Sequence, residues 1–174
     1  MNTLSNIQSI YFVGIGGIGM SALARFAIKK NLAVFGYDKT QTALTATLEK
    51  EGADITFEDS VSSLPPKVKN NTSTLVVYTP AIPEENKILQ WFIQQDYRVI
   101  KRAEFLGELT QDTLCLAVAG THGKTTTSAI LGHLLADCDM PVTAFLGGIT
   151  ENYKSNFISN KKLSSNIDIT KLSL

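Results

Sequence analysis

Residues 10–21 read Ile10-Tyr11-Phe12-Val13-Gly14-Ile15-Gly16-Gly17-Ile18-Gly19-Met20-Ser21. Ile10–Val13 is apolar and reads as a buried strand. Gly14, Gly16 and Gly19 fit G-x-G-x-x-G, and Leu23, Phe26 and Ala27 then recur at helical spacing within Met20–Asn31. Strand, glycine turn and helix in that order predict the opening of a parallel α/β sheet. Glycines permit a tight turn with close backbone approach. The exposed N–H groups and the positive end of the helix then face an anion. Ala33–Tyr37 reads as the next strand, and Asp38 ends it, where an acid can accept hydrogen bonds from ribose hydroxyls. Taken alone, this pattern fits NAD, FAD or any diphosphate-bridged nucleotide. The plainer alternative is a glycine turn needed only for tight packing, with Asp38 as a turn or capping residue.

Outward from this turn, short apolar runs alternate with helix-length segments. Thr42–Glu51 reads as a helix with Leu44 and Leu48 on one face and Gly52 as its stop. Asp54–Phe57, Thr74–Tyr78 and Tyr97–Ile100 read as strands. Pro65-Pro66 and Lys67–Thr74 read as a surface connection, and Thr79–Pro83 as a loop, because each proline biases its predecessor away from helix. Asn86 caps a helix through Trp91 to Gln95, and Ala103–Leu109 reads as a short helix. The order predicts a Rossmann-like parallel sheet over 1–109, with its strand C-terminal ends on one edge.

A second unit, 110–174, is expected to be the truncated start of a P-loop ATP-binding α/β domain. Leu114–Ala119 reads as a buried strand, Thr125–Ala136 as a helix and Val142–Leu146 as a strand closed by Gly147-Gly148. From Glu151 onward the chain reads as a polar tail. Between the first strand and the helix lies Gly120-Thr121-His122-Gly123-Lys124-Thr125-Thr126. Backbone N–H groups of such a loop wrap phosphate, Lys124 reaches the terminal phosphates, and Thr125 ligates Mg²⁺. The common pattern has its first glycine two residues earlier, where this chain has Val118, so Gly120 takes over the turn. His122 reads equally as a phosphate contact or loop filler, and His133, mid-helix, as structural.

Composition narrows the class. Of 174 residues, 16 are basic and 16 acidic, so no bulk charge argues for nucleic acid. Anion binding must then be local. No apolar stretch approaches the roughly 20 residues of a membrane span, and the N-terminus lacks a signal-peptide pattern. Cys115 and Cys138 have no zinc-like spacing and read as reduced thiols. The expectation is a cytoplasmic protein.

With both turns in hand, the chain resembles the Mur ligase family of peptidoglycan synthesis over about Asn6 to Tyr153. The resemblance is carried by Tyr11–Ser21, Gly36-Tyr37-Asp38, Thr79-Pro80-Ala81-Ile82 with Asn86, Lys101-Arg102-Ala103-Glu104, and Gly120–Thr126. It is nearest to the member that joins L-alanine to UDP-N-acetylmuramate. The resemblance implies that Gly14, Ile15, Gly16, Gly17, Ile18 and Gly19 hold the UDP diphosphate, with Asp38 near the uridine or its ribose. Thr79 and Ala81 would approach the same substrate. It implies that Gly120, Thr121, His122, Gly123, Lys124, Thr125 and Thr126 bind ATP, with Lys124 catalytic and Thr125 on Mg²⁺. The implied reaction activates the lactyl carboxylate as an acyl phosphate, which the amine of L-alanine attacks.

Members of the family are far longer. Their further Mg²⁺ ligands and a third domain have no counterpart here, and Lys161–Asn166 departs from the family's continuation. These residues alone are therefore expected to be inactive, with apolar edges in the second unit that invite self-association. Three other readings stand beside this one: a ligase attaching a murein tripeptide to the same UDP-sugar, an NAD-dependent oxidoreductase, and a non-catalytic nucleotide-binding module.

Overall fold

The computed structural model describes residue 4 and residues 6–69, 73–111 and 113–160. The chain divides into two compact units, Met1–Glu108 and Leu109–Leu174. In the first, β1 (Ser9–Val13), α1 (Ile18–Lys29), β2 (Ala33–Tyr37), α2 (Ala43–Glu51) and β3 (Ala53–Thr56) are followed by the short helix α3 (Pro66–Lys69). Then come β4 (Thr74–Tyr78), α4 (Lys87–Gln94), β5 (Arg98–Lys101) and α5 (Arg102–Thr110). The five strands form one sheet in the order β3-β2-β1-β4-β5, every pair parallel. This is the mixed α/β fold with a Rossmann-like parallel sheet that the sequence pattern predicts.

Local chemistry sets the element ends. The Thr42 hydroxyl accepts from Thr45 N–H, while Thr45 Oγ1 accepts from Thr42 N–H, closing a reciprocal cap on α2. Gly52 stops that helix with φ +113°, a conformation that favours glycine. Asn86 caps α4 through Leu89 N–H, as expected. The same helix end also receives the Asp59 carboxylate, which accepts from Lys87 and Ile88 N–H. Asp59 lies 28 residues before Lys87, so no local pattern announces it.

The core occupies both faces of the sheet. On one face Tyr11, Val13, Phe35, Tyr37 and Val76 pack against Leu64, Val68, Ile88, Leu89 and Phe92. Strand alternation sends Ile10, Phe12, Leu75 and Val77 to the other face, and they are equally buried. A strand covered on both faces has no polar face, which is why β1 and β4 read as continuous apolar runs. Arg25 of α1, 7% exposed, grips both oxygens of Glu51 at the end of α2. The stretch from Pro65, expected as a plain connection, contains α3. Its Asn70-Asn71-Thr72 part lies outside the described residues.

The second unit contains α6 (Lys124–Asp137), β6 (Thr143–Thr150) and β7 (Ser155–Ser159). The two strands pair antiparallel. Gly132 lets α6 approach this ribbon closely: a Cβ there would stand 3.1 Å from Ala144 Cβ and 3.4 Å from Ile158 Cδ1. Three expectations need correction. Leu114–Ala119 has no regular strand, and Leu114 and Leu116 are exposed. A parallel strand needs a neighbour for its N–H and C=O groups, and among the described residues of this unit the only strands pair with each other. The expected polar tail contains β7, because Phe157 and Ile158 supply apolar positions on alternate faces, opposite Phe145 and Ala144. Val142–Leu146 also proves too short, since β6 runs on through Gly147-Gly148 to Thr150. Lys161–Asn166 lies outside the described residues. Among the described residues no helix is long and apolar enough to cross a membrane.

Tyr11 is fully buried, and among the described residues its hydroxyl has no hydrogen-bond partner. Burial pushes this phenol well above the ordinary tyrosine range, and Asp54, Tyr37 and Asp59 add to the effect. Burial also raises Tyr37 and Tyr97. A raised phenol pKa keeps its stability contribution below the unfolded value of about 10 and loses it as pH climbs further. We expect the melting midpoint to fall steeply above about pH 10. Tyr11→Phe should fall less steeply, with a residual slope from Tyr37 and Tyr97. At pH 7 it should be within about 1 kcal/mol of the parent, because no bond is lost. Melting followed by circular dichroism from pH 7 to 11 checks both.

Candidate functional site

The sheet register builds one row of residues. Val13 pairs with Tyr37 and with Tyr78, and Tyr78 with Lys101. The next residues along these four strands are Asp38, Gly14, Thr79 and Arg102. Each follows the C-terminal end of a parallel strand, on the edge where open α/β sheets bind ligands. The order β3-β2-β1-β4-β5 reverses direction at the β1–β4 boundary, so Gly14 and Thr79 flank the crevice.

The first glycine turn is closed from within. The Tyr37 carbonyl accepts from Gly14 N–H at 2.7 Å and from Ile15 N–H at 3.1 Å. The Gly14 carbonyl accepts from Gly17 N–H at 3.2 Å. Gly14 has φ +89°, and a Cβ there would meet Thr79 Cγ2 at 2.9 Å and Ile82 Cδ1 at 3.2 Å. Glycine at 14 therefore serves both the turn and the close seat of the Thr79–Ile82 loop. Ile15 is fully buried, with its side chain over Gly36, where a Cβ would fall within 3.0 Å of three Ile15 atoms. The Ile15 side chain is thus core, and its N–H is already bonded. The N–H groups without a partner in this stretch, among the described residues, are at the start of α1. Gly19 and Met20 N–H precede the first intrahelical bond, from Ser21 N–H to the Gly17 carbonyl. Ile18 is 38% exposed beside them.

Asp38 is drawn into the turn. Its Oδ2 accepts from Gly16 N–H at 2.8 Å and its Oδ1 from Thr40 N–H at 3.1 Å. A Cβ on Gly16 would stand 2.8 Å from Oδ2, so glycine at 16 makes room for the carboxylate. Each oxygen keeps a lone pair for a further donor. Ala81 is exposed on its loop.

In the second unit, Gly120 (φ +148°) and Gly123 (φ +77°) shape the loop, and Gly123 caps α6. Lys124 Nζ donates to the Gly120 carbonyl at 2.5 Å and the Thr121 carbonyl at 3.0 Å. The ammonium thus bridges the loop. Residues 120–127 are all exposed. Thr125 lies against Gly147 and Gly148: a Cβ on Gly147 would stand 2.9 Å from Thr125 Oγ1. The irregular register of β6 falls between Phe145 and Thr150, at this same place. His133 Nδ1 and the Tyr153 hydroxyl are 2.9 Å apart, so His133 is tied to the β6–β7 turn and not to the loop. For a divalent cation the fit is partial. Thr125 offers one hydroxyl, and among the described residues no cluster of three acidic, histidine or cysteine side chains accompanies it. A hard cation there would need the phosphates of a nucleotide as ligands.

Sequence reasoning named Gly36, Ile82, Gly147 and Arg102 only as parts of motifs and missed what they touch: Ile15, Gly14, Thr125 and Gly19. A usable signal existed for Arg102: it follows an apolar strand, as Gly14, Asp38 and Thr79 do.

Residues 9–113 match the Mur ligase family, catalytic domain. The chain belongs to the Mur ligase family. It is 52% identical over 159 residues to a UDP-N-acetylmuramate–L-alanine ligase of Christiangramia forsetii, covering 91% of this chain and 35% of that one. It is 54% identical over 161 residues to the ligase of that name from Flavobacterium psychrophilum, covering 91% and 35%. The chain therefore spans about a third of the length of these relatives. The crystal structure of UDP-N-acetylmuramate–alanine ligase from Thermotoga maritima superposes with TM-score 0.77 at 32% identity, over 87% of this chain and 35% of that one. A murein peptide ligase from Psychrobacter arcticus shares the fold, with TM-score 0.76 at 23% identity over 94% of this chain and 35% of that one.

The packing of Ile15 on Gly36 yields a prediction. Gly36→Ala should displace Ile15 and cost about 1–3 kcal/mol. Adding Ile15→Val should recover part of that loss, because the β2 methyl and the smaller side chain then share the space. Urea denaturation of the two single variants and the double variant measures it.

Proposed function

We propose that this chain carries the UDP-substrate domain (1–109) and the beginning of the ATP-binding domain (110–174) of a cytoplasmic ATP-dependent ligase. That ligase joins L-alanine to UDP-N-acetylmuramate in peptidoglycan synthesis. The observation that supports it most is the identity above one half, over nine-tenths of the chain, to two L-alanine ligases. The two turns supply chemistry that suits it.

In this reading the N–H groups of Gly19 and Met20, and the positive end of α1, face the UDP diphosphate. Gly14, Ile15, Gly16 and Gly17 form the turn beneath it, and Ile18 flanks it. Asp38 accepts from a ribose hydroxyl with its spare lone pairs. Thr79 and Ala81 border the sugar end of the crevice. In the second turn, Gly120, Thr121, His122, Gly123 and Thr126 surround the nucleotide phosphates. Lys124 exchanges its two carbonyl partners for phosphate oxygens, which are the stronger acceptors. Thr125 takes one position on Mg²⁺. ATP, when bound, supplies the phosphoryl group that activates a carboxylate; Lys124 offsets the charge that gathers on it.

Isothermal titration tests the substrate half. Heat with UDP-N-acetylmuramate and none with NADH is expected. The reverse pattern would replace the ligase reading with an oxidoreductase. ATP binding should be lost in Lys124→Ala. Because the described residues bring no acidic cluster to Thr125, we expect no L-alanine-dependent phosphate release from these 174 residues alone. A phosphate-release assay that showed turnover would refute this.

A further inference from the structure

We propose that Arg102 is the cationic member of the first turn's site and that its guanidinium donates to the diphosphate of the nucleotide-sugar. This rests on the substrate reading above.

Four observations carry it. First, the register row sets Arg102 immediately after β5, on the same sheet edge as Gly14, Asp38 and Thr79. Second, its side chain reaches across to the start of α1. A Cβ on Gly19 would stand 2.2 Å from Arg102 Nη1, 3.2 Å from Cζ and 3.3 Å from Cδ. The third glycine of such a fingerprint ordinarily serves helix–strand packing. Here the space it leaves is taken by a guanidinium, at the helix start where the Gly19 and Met20 N–H groups have no intrahelical partner.

Third, Arg102 is unspent. The chain has three arginines. Arg25 grips Glu51, and Arg98 pairs with Glu108. Among the described residues the Arg102 guanidinium has neither a carboxylate nor any other hydrogen-bond partner. Its position also does not stabilise its own helix. It is the first residue of α5, where a cation faces the positive end of the macrodipole.

Fourth, the charge balance of the turn calls for it. Asp38 brings a carboxylate to Gly16 N–H. A diphosphate diester brings two further negative charges to the same turn. Neutral N–H groups alone would hold it against that repulsion. The fork of a guanidinium suits two phosphate oxygens at once, which an ammonium cannot match.

The test uses the whole chain with Arg102→Gln and Arg102→Lys, read by titration with UDP-N-acetylmuramate and by NMR shift changes with uridine, which has no phosphate. Loss of one charge-assisted contact predicts about 10- to 100-fold weaker UDP-sugar binding in Arg102→Gln. The loss in Arg102→Lys should be smaller, and both variants should keep uridine binding and melting midpoint. Gly19→Ala should push the guanidinium aside, so Arg102→Gln should add little further loss in that background. Undiminished UDP-sugar binding by Arg102→Gln would overturn the proposal and leave the substrate reading standing. Equal loss of uridine and UDP-sugar, or a melting midpoint that falls with affinity, would also overturn it. A parent chain that binds no UDP-sugar would overturn the substrate reading and this inference with it.

Discussion

One carbonyl oxygen holds the first unit's site together. Tyr37, at the end of β2, accepts from both Gly14 and Ile15 N–H. This pair of hydrogen bonds to the neighbouring strand turns the chain sharply at the end of β1. It drops the Ile15 side chain onto Gly36, and α1 begins three residues on, at Ile18. A turn without that anchor would have to satisfy two N–H groups with solvent or ligand. Their being paired internally leaves the free N–H groups of the turn at the helix start.

The glycines of this turn answer to different neighbours. Gly14 has a positive φ and sits under Thr79 and Ile82, Gly16 gives way to the Asp38 carboxylate, and Gly19 gives way to Arg102. Each admits a group from a different strand end, so the motif is the meeting point of β1, β2, β4 and β5. That convergence is what a parallel sheet provides: its strand ends align, and the residue after each strand enters the same crevice.

The second unit presents its loop differently. Lys124 closes on its own loop's carbonyls, and the residues from Gly120 to Thr127 are exposed. Its close neighbour is the Gly147-Gly148 stretch of β6, which lies against Thr125. The loop is formed by local torsions at Gly120 and Gly123, and it exists without a strand before it. Leu114–Ala119 lacks a pairing partner among the described residues, so apolar content alone does not make it a strand.

Much of this was legible in the sequence, and the reason is the range of the forces involved. Strand and helix type, the two glycine turns, the Asn86 cap and the Gly52 stop depend on torsions and on groups a few residues apart. Periodicity and turn chemistry therefore reveal them. The parallel sheet followed from the alternation of those elements. Four things were not legible: Asp59 on α4, Ile15 buried over Gly36, Thr125 against Gly147, and Arg102 over Gly19. Each joins residues between 21 and 83 positions apart. Such contacts are fixed by strand order and register, which no local window contains. The sequence by itself determined where the two glycine turns lie, because strand, turn and helix follow one another within a short window. Only the tertiary structure decided which side chains stand beside those places, because the sheet's register chose them.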